Sequence, residues 1–317
     1  MEEIDAQLIA DGVQIPARPL KAGLRITGRF DIVLNAIPPD GPILPGVFTA
    51  EQISLRIHDW MRRRYGDRLK LPFTLGRVVF PLRGSFYVVN CPVVLGSARF
   101  ICDPATFGMR RESIGVHTVP ICNVVDLVES LTADLARSLT AEEVVKLGLV
   151  HASAMAAFLS LHAVVDVEFV SEALGDLDAA VNHLVEHKPQ AGLSKWASLQ
   201  AVEKLVKAYI AKKGGTFQRH HRLEDHVADA VKLGLPAPPT QYVSDVQCSA
   251  GVRYGQPVVT TDDALRAHLV SLEMCEVAAQ SIAIALGRRV PRCPEPMIDG
   301  MPAGEFLKKH ARATASP

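Results

Sequence analysis

The chain lacks the short signatures that would name a chemistry outright. It has no Walker loop, no Gly-x-Gly-x-x-Gly run after a strand, no Gly-x-Ser-x-Gly elbow and no His-Glu-x-x-His helix. It lacks net charge as well: thirty-four Lys and Arg residues balance thirty-four Asp and Glu residues. A neutral total argues against a broad nucleic-acid-coating surface and leaves room only for a local patch. The six cysteines, Cys91, Cys102, Cys122, Cys248, Cys275 and Cys293, never fall into a Cys-x-x-Cys pair. That spacing argues against a zinc ribbon and a dense disulfide framework, and predicts reduced thiols. The opening MEEIDAQLIADG is acidic and holds no hydrophobic signal core. No uninterrupted apolar run reaches bilayer length, so the expectation is a cytoplasmic protein with no membrane partner. Internal repeats and low-complexity tracts are missing too.

What is present is ordinary globular material. At 317 residues, 48% apolar and 21% charged, the chain is long enough for two domains. Residues 1–160 read as an α+β domain of unassigned role. Residues 1–22 are expected to form a loosely attached arm, and residues 24–37 a strand ended by the turn-rich Pro38-Pro39-Asp40-Gly41-Pro42. Thr49 is an N-cap signal for a helix over 50–65, with Ile53, Ile57, Trp60 and Met61 inward. Arg62-Arg63-Arg64 suits the carbonyl end of that helix; the sharper alternative is a phosphate contact. Residues 73–103 hold β-branched and aromatic runs broken at Gly84-Ser85 and Gly96-Ser97, the pattern of an antiparallel meander. Arg77, Arg83 and Arg99 recur along it and Arg110-Arg111 follow; they read as scattered solubility charges unless one face gathers them. A nucleotidyltransferase needs an Asp-x-Asp metal pair after its Gly-Ser turn, and only Asp103 follows here. Residues 124–139 and 141–149 read as helices, the second with Thr140 and Glu143 spaced as a capping box.

The most regular stretch is KWASLQAVEKLVKAYIAKKGG followed by TFQRHHRLEDHVADAVKLGL. Trp196, Leu199, Val202, Leu205, Val206, Tyr209 and Ile210 recur at steps of three and four, one stripe of a helix. Gly214-Gly215 stops it, and a second helix carries Leu223, Val227, Ala230 and Val231 to a stop at Gly234. Flanking helices are expected over 167–186 and 261–286, the latter capped by Thr260 and Asp263. The sequence after Arg288, residues 289–317, reads as a Pro-containing tail.

Ala201, Glu203, Lys204, Lys207 and Ala208, the glycine turn, and then His221, Leu223 and His226 resemble the HEPN helical-bundle superfamily. Val252-Arg253-Tyr254-Gly255 before a helix with Ala264 and Ala267 resembles that family's Arg-Tyr element and last helix. The resemblance covers roughly 165–288 and implies an all-α four-helix bundle, often dimeric, found both in RNases of conflict systems and in non-catalytic RNA- or nucleotide-binding modules. A catalytic member carries Arg and, four to six residues on, a His that moves a proton at the ribose 2′-hydroxyl without metal. Here the next histidine after Arg253 is the distant His268, and the formally spaced Arg219 and His226 belong to another element. The expectation is therefore a non-catalytic binding module for RNA, a nucleotide or a partner protein, contacting it through His226, Arg253, Tyr254 and His221. A metal-independent endoribonuclease of a conflict or toxin–antitoxin type, using Arg253 and His226, is the alternative; a structural homodimer formed through the bundle is another. No cofactor is expected. His220, His221 and His226 do not share one helix face, so no metal site is expected.

Overall fold

The structure, a computed structural model, describes residues 1–13, 15–30, 32–34, 41–69, 74–94, 98–109, 121–218, 220–290, 297–298 and 301–302. It divides into two compact units, Met1–Phe73 and Thr74–Pro317, where the sequence placed a junction near residue 160.

The first unit holds α1 (Glu2–Ala10), α2 (Arg18–Phe30) and α3 (Ala50–Tyr65). α3 has the expected limits, and the Thr49 hydroxyl accepts the Gln52 N–H as its cap. α1 is docked rather than a loose arm. Leu8 is 1% exposed and packs with Ala22, Ile57 and Met61. Asp5, equally buried, accepts the Tyr65 hydroxyl at 2.6 Å and the Arg64 Nε at 2.8 Å, with Arg18 3.6 Å away. α2 occupies much of the stretch expected as a strand. Pro19, Ala22 and Ile26 fall at steps of three and four, and the first two are buried. Packing on α1 and α3 overrides the β-propensity of Ile26 and Phe30. Asp31 and residues 35–40 lie outside the described residues. In the arginine triplet, Arg63 pairs with Asp59 and Arg64 with Asp5, so two of the three serve the fold.

The second unit begins with the hairpin β1 (Thr74–Leu82) and β2 (Ser85–Pro92), then β3 (Arg99–Ile101), β4 (Ile121–Asn123), α4 (Ala133–Arg137) and α5 (Ala141–His162). The helical part is α6 (Val170–Val185), α7 (Ala191–Lys212), α8 (Leu223–Lys232), α9 (Thr240–Val246) and α10 (Thr261–Ala285), followed by β5 (Met297–Ile298) and β6 (Met301–Pro302). The N-terminal region thus contains a small antiparallel sheet and the C-terminal region is a helical bundle.

β1 and β2 pair antiparallel with Val78 opposite Val89 and Phe80 opposite Tyr87. Both faces are covered, which is why the run is continuously apolar rather than alternating. Val78, Phe80, Val89 and Cys91 join the main core, while Val79 and Val88 meet Val181 and Leu184 of α6 and Ala264 of α10. The hairpin therefore belongs to the same body as the bundle. β3 does not extend a meander: it pairs in parallel with β4 and β5, in a sheet ordered β4-β3-β5-β6. Part of the expected tail is thus a strand, and Ile298 is buried; residues 291–296, 299–300 and 303–317, including Cys293, lie outside the described residues. So do Gly96, Ser97, Arg110 and Arg111. The helix expected over 124–139 is instead a 3-10 turn (Val124–Leu127) and the short α4. Arg77 pairs with Asp178, and Arg83 with Glu143, so neither contributes to a basic sheet face.

α5 carries the expected capping box of Thr140 and Glu143. By length and composition it could cross a membrane, with a mean hydropathy of 1.7 over its most apolar window, yet 61% of that window is buried within the protein. It lies against the hairpin and α10. α7 packs between α6 and α10 and buries 13 of its 22 residues. Gly214 and Gly234 take positive φ, 74° and 98°, and end α7 and α8 as expected. The Tyr209 hydroxyl on α7 donates to the Leu233 carbonyl at the end of α8, joining the two.

Removing one partner of a buried, hydrogen-bonded charge leaves the others uncompensated. Asp5→Ala is expected to destabilise the first unit by about 3 kcal/mol. Limited proteolysis checks it: cleavage within residues 1–73 accelerates, and an unchanged pattern would mean that α1 does not depend on this cluster.

Candidate functional site

The site grows from one face of α7. Trp196, Gln200, Glu203 and Lys207 follow at steps of four, three and four, so they stack along a single line. The segment between α7 and α8 lies over it, bringing Phe217, His220 and His221, and the 3-10 turn Ala250–Tyr254 reaches its N-terminal end. Gly192 makes that approach possible: a Cβ there would sit 2.1 Å from the Val252 carbonyl oxygen. The turn consequently places the Arg253 guanidinium over the Trp196 ring, 4.6 Å from its centroid.

Glu203 is the buried anchor, 4% exposed. Its Oε1 accepts Lys207 Nζ at 2.6 Å, and its Oε2 lies 3.0 Å from His221 Nδ1. In the tautomer that donates Nδ1–H to the carboxylate, the His221 ring carries its lone pair on Nε2. The His221 side chain is 57% exposed, and its ring meets Trp196 edge-on with centroids 5.3 Å apart. Trp196 therefore touches both Arg253 and His221, which bounds their separation at about 10 Å. Arg253 donates Nε–H to the Ala250 carbonyl and has no carboxylate partner among the described residues. Its guanidinium also lies 5.5 Å from the centroid of Tyr254, whose ring is 79% exposed. The neighbouring cations are already neutralised, Lys207 by Glu203 and Lys204 by Asp176. Arg253 is thus a charge without a carboxylate partner among the described residues, and it lies against two aromatic rings.

Of the residues expected to make contacts, Arg253, Tyr254 and His221 share this surface and His226 does not. His226 is 1% exposed, with Nε2 2.9 Å from the His220 carbonyl oxygen and its ring stacked on that of His220 at 4.7 Å. Burial pushes its pKa down, and its contacts with His220 tie it to the start of α8. His268, the next histidine after Arg253, is fully enclosed, and burial lowers its pKa to about 4; His310 lies outside the described residues. Arg219 lies outside the described residues. Among the described residues no group of three or more His, Cys, Asp or Glu converges to hold a metal. Asp263 accepts the Thr260 hydroxyl proton as part of the α10 cap. Trp196, Gln200 and Glu203 were missed as site residues. Their spacing of four and then three was the available signal, but Trp196 reads equally well as part of the apolar stripe.

A family model described as HEPN domain matches residues 167–280. The match starts just before α6 and ends within α10, so this segment is HEPN-like, as the sequence resemblance implied. No curated protein and no solved structure matches the chain significantly.

Two outcomes follow from this geometry. In a Trp60→Phe background, Arg253→Ala uncovers the Trp196 ring and red-shifts its fluorescence. Gly192→Ala displaces the turn and does the same; spectra unchanged in both variants would mean that the turn does not rest on Trp196. The second concerns the enclosed imidazoles. His151 and His268 each refuse a proton until about pH 4 when folded, whereas the unfolded side chains take it up near pH 6.5. Stability therefore falls as pH drops through that window, by about 2 kcal/mol for each histidine at pH 5. Urea midpoints at pH 7 and pH 5 measure the loss, and His268→Leu is expected to remove about half of it.

Proposed function

We propose that the HEPN-like segment is a non-catalytic module that binds RNA or a nucleotide, with Arg253 on a phosphate and Trp196 or Tyr254 against a base. The observation that carries this reading is the guanidinium of Arg253, lacking a carboxylate partner among the described residues and lying against two aromatic rings. Such a group offers charge to a phosphate and a π-face to an unpaired base, the combination that single-stranded nucleic acid engages. Protein partners of the same anionic chemistry and a bundle-mediated homodimer belong to the same proposal.

One observation favours a second reading, a metal-independent endoribonuclease. Glu203 holds His221 by Nδ1, leaving Nε2 to take the proton from a ribose 2′-hydroxyl. The 2′-oxygen would attack the adjacent phosphorus, the bond to the 5′-oxygen would break, and that oxygen would leave with a proton. A 2′,3′-cyclic phosphate would remain. Arg253 would stabilise the phosphorane charge. In this reading the histidine is His221 rather than the enclosed His226.

The test is incubation of the protein with a mixed RNA pool in EDTA, beside Arg253→Ala, His221→Ala and His226→Ala. Binding without cleavage is expected, weakened about tenfold or more by Arg253→Ala and with a salt slope shallower by about one. Cleavage lost in Arg253→Ala and His221→Ala but kept in His226→Ala would establish the nuclease. Neither binding nor cleavage, with a dimer by light scattering, would leave the structural role.

A further inference from the structure

The two chain segments that meet at the Arg253 surface are joined by one side chain. Gln247, just before the turn, donates Nε2–H to the His221 carbonyl at 3.3 Å and to the Cys248 carbonyl at 3.0 Å, and its Oε1 accepts the Leu223 N–H at 2.7 Å. Backbone bonds close the turn itself: Val252 N–H to the Ser249 carbonyl, Gly255 N–H to that of Val252 and Gln256 N–H to that of Gly251. His221 and Arg253 are therefore both held against Trp196 before any ligand arrives, which lowers the ordering cost of binding.

The groups facing His221 decide what it can offer. From α7, Glu203 Oε2 lies 3.0 Å from its Nδ1, Gln200 Nε2 is 3.5 Å from the same atom, and the Trp196 ring meets it edge-on. Lys207 occupies the other carboxylate oxygen of Glu203, so that charge already has a cation. His220, the chain neighbour, is turned to Asp225, with Nε2 3.6 Å from Oδ2, and Arg222 pairs with the same carboxylate. The His221 side chain is more than half exposed. In the tautomer that donates Nδ1–H to Glu203, a neutral ring offers a phosphate only the Nε2 lone pair, which an anion cannot use. The opposite tautomer would set a lone pair against the carboxylate. Protonation makes both nitrogens donors and adds a charge to the surface.

We propose that His221 is a second phosphate contact that a proton switches on. The surface holds one phosphate, on Arg253, when the ring is neutral, and two successive phosphates of one strand when it is charged. This rests on the reading of the Arg253 surface as a site for nucleic acid, and names an oligonucleotide strand as its ligand in mild acid. Both contacts touch Trp196, so they lie within about 10 Å of each other, and a strand laid across them engages both. Proton uptake and strand binding then strengthen each other reciprocally.

The probe is a short oligouridylate with hydroxyl ends, whose phosphodiesters keep their charge throughout. It is titrated into the full chain at about pH 8 and about pH 6, the range in which an imidazole changes charge; circular dichroism checks the fold at both. The protein is expected to bind about tenfold tighter at the lower pH, with a salt slope steeper by about one. His221→Gln keeps a donor for Glu203 but takes up no charge, and is expected to bind equally at both. His220→Gln is expected to keep the difference. Binding that Arg253→Ala weakens, yet is the same at both pH values, overturns this inference and leaves the reading of Arg253 intact. A pH difference that survives His221→Gln overturns it too. No binding at either pH overturns both.

Discussion

The second unit depends on the burial of α7. A helix with 13 of 22 residues removed from water has no solvent face of ordinary width, so every neighbour is constrained by it. Small residues make this possible. Ser194, Ala197, Ser198, Ala201 and Ala208 are buried alongside the large apolar stripe, and they let α6 and α10 approach from either side. The serines stay satisfied by donating to carbonyls, Ser194 to Ala180 of α6 and Ser198 to Ser194 within its own helix. Polar burial on this scale is tolerable only because each hydroxyl has a partner.

The same constraint creates the site. Glu203 is carried inward with α7, and a buried carboxylate must be paired. Lys207 supplies one partner from the next turn and His221 another from the following segment. The segment between α7 and α8 is therefore tied to α7 by electrostatics as well as by packing. Trp196, two steps back along the same face, is left partly open because the 250–254 turn covers only its end. The resulting surface is rigid where it meets the core and exposed where Arg253 and Tyr254 project. Rigidity on one side and accessibility on the other suit recognition.

Much of this was legible in sequence where a local rule acts alone. Thr49, Thr140 and Thr260 cap their helices as their neighbours dictate, and the glycines after α7 and α8 stop them. The HEPN-like segment was legible from Ala201, Glu203, Lys204, His221 and Arg253 in order. Where packing competes with propensity the reading failed. α2 carries strand-prone residues but lies on α1 and α3. β3 continues a β-rich run yet pairs in parallel with strands about twenty and two hundred residues further on, a register that no local pattern encodes.

The histidines divide the two kinds of information most clearly. His220, His221 and His226 lie within seven residues and look alike in sequence, and His268 looks like a fourth candidate. Helix periodicity assigns His226 to α8 and His268 to α10. Which imidazole meets solvent depends on what lies opposite it: a backbone carbonyl and His220 for His226, a sealed apolar core for His268, and Glu203 with Trp196 for His221. The sequence by itself determined the helices, their caps and the Arg-Tyr turn, because those rest on interactions within a few residues. The tertiary structure decided which charged side chains are paired, enclosed or free, because burial and partnership are set by residues distant in the chain.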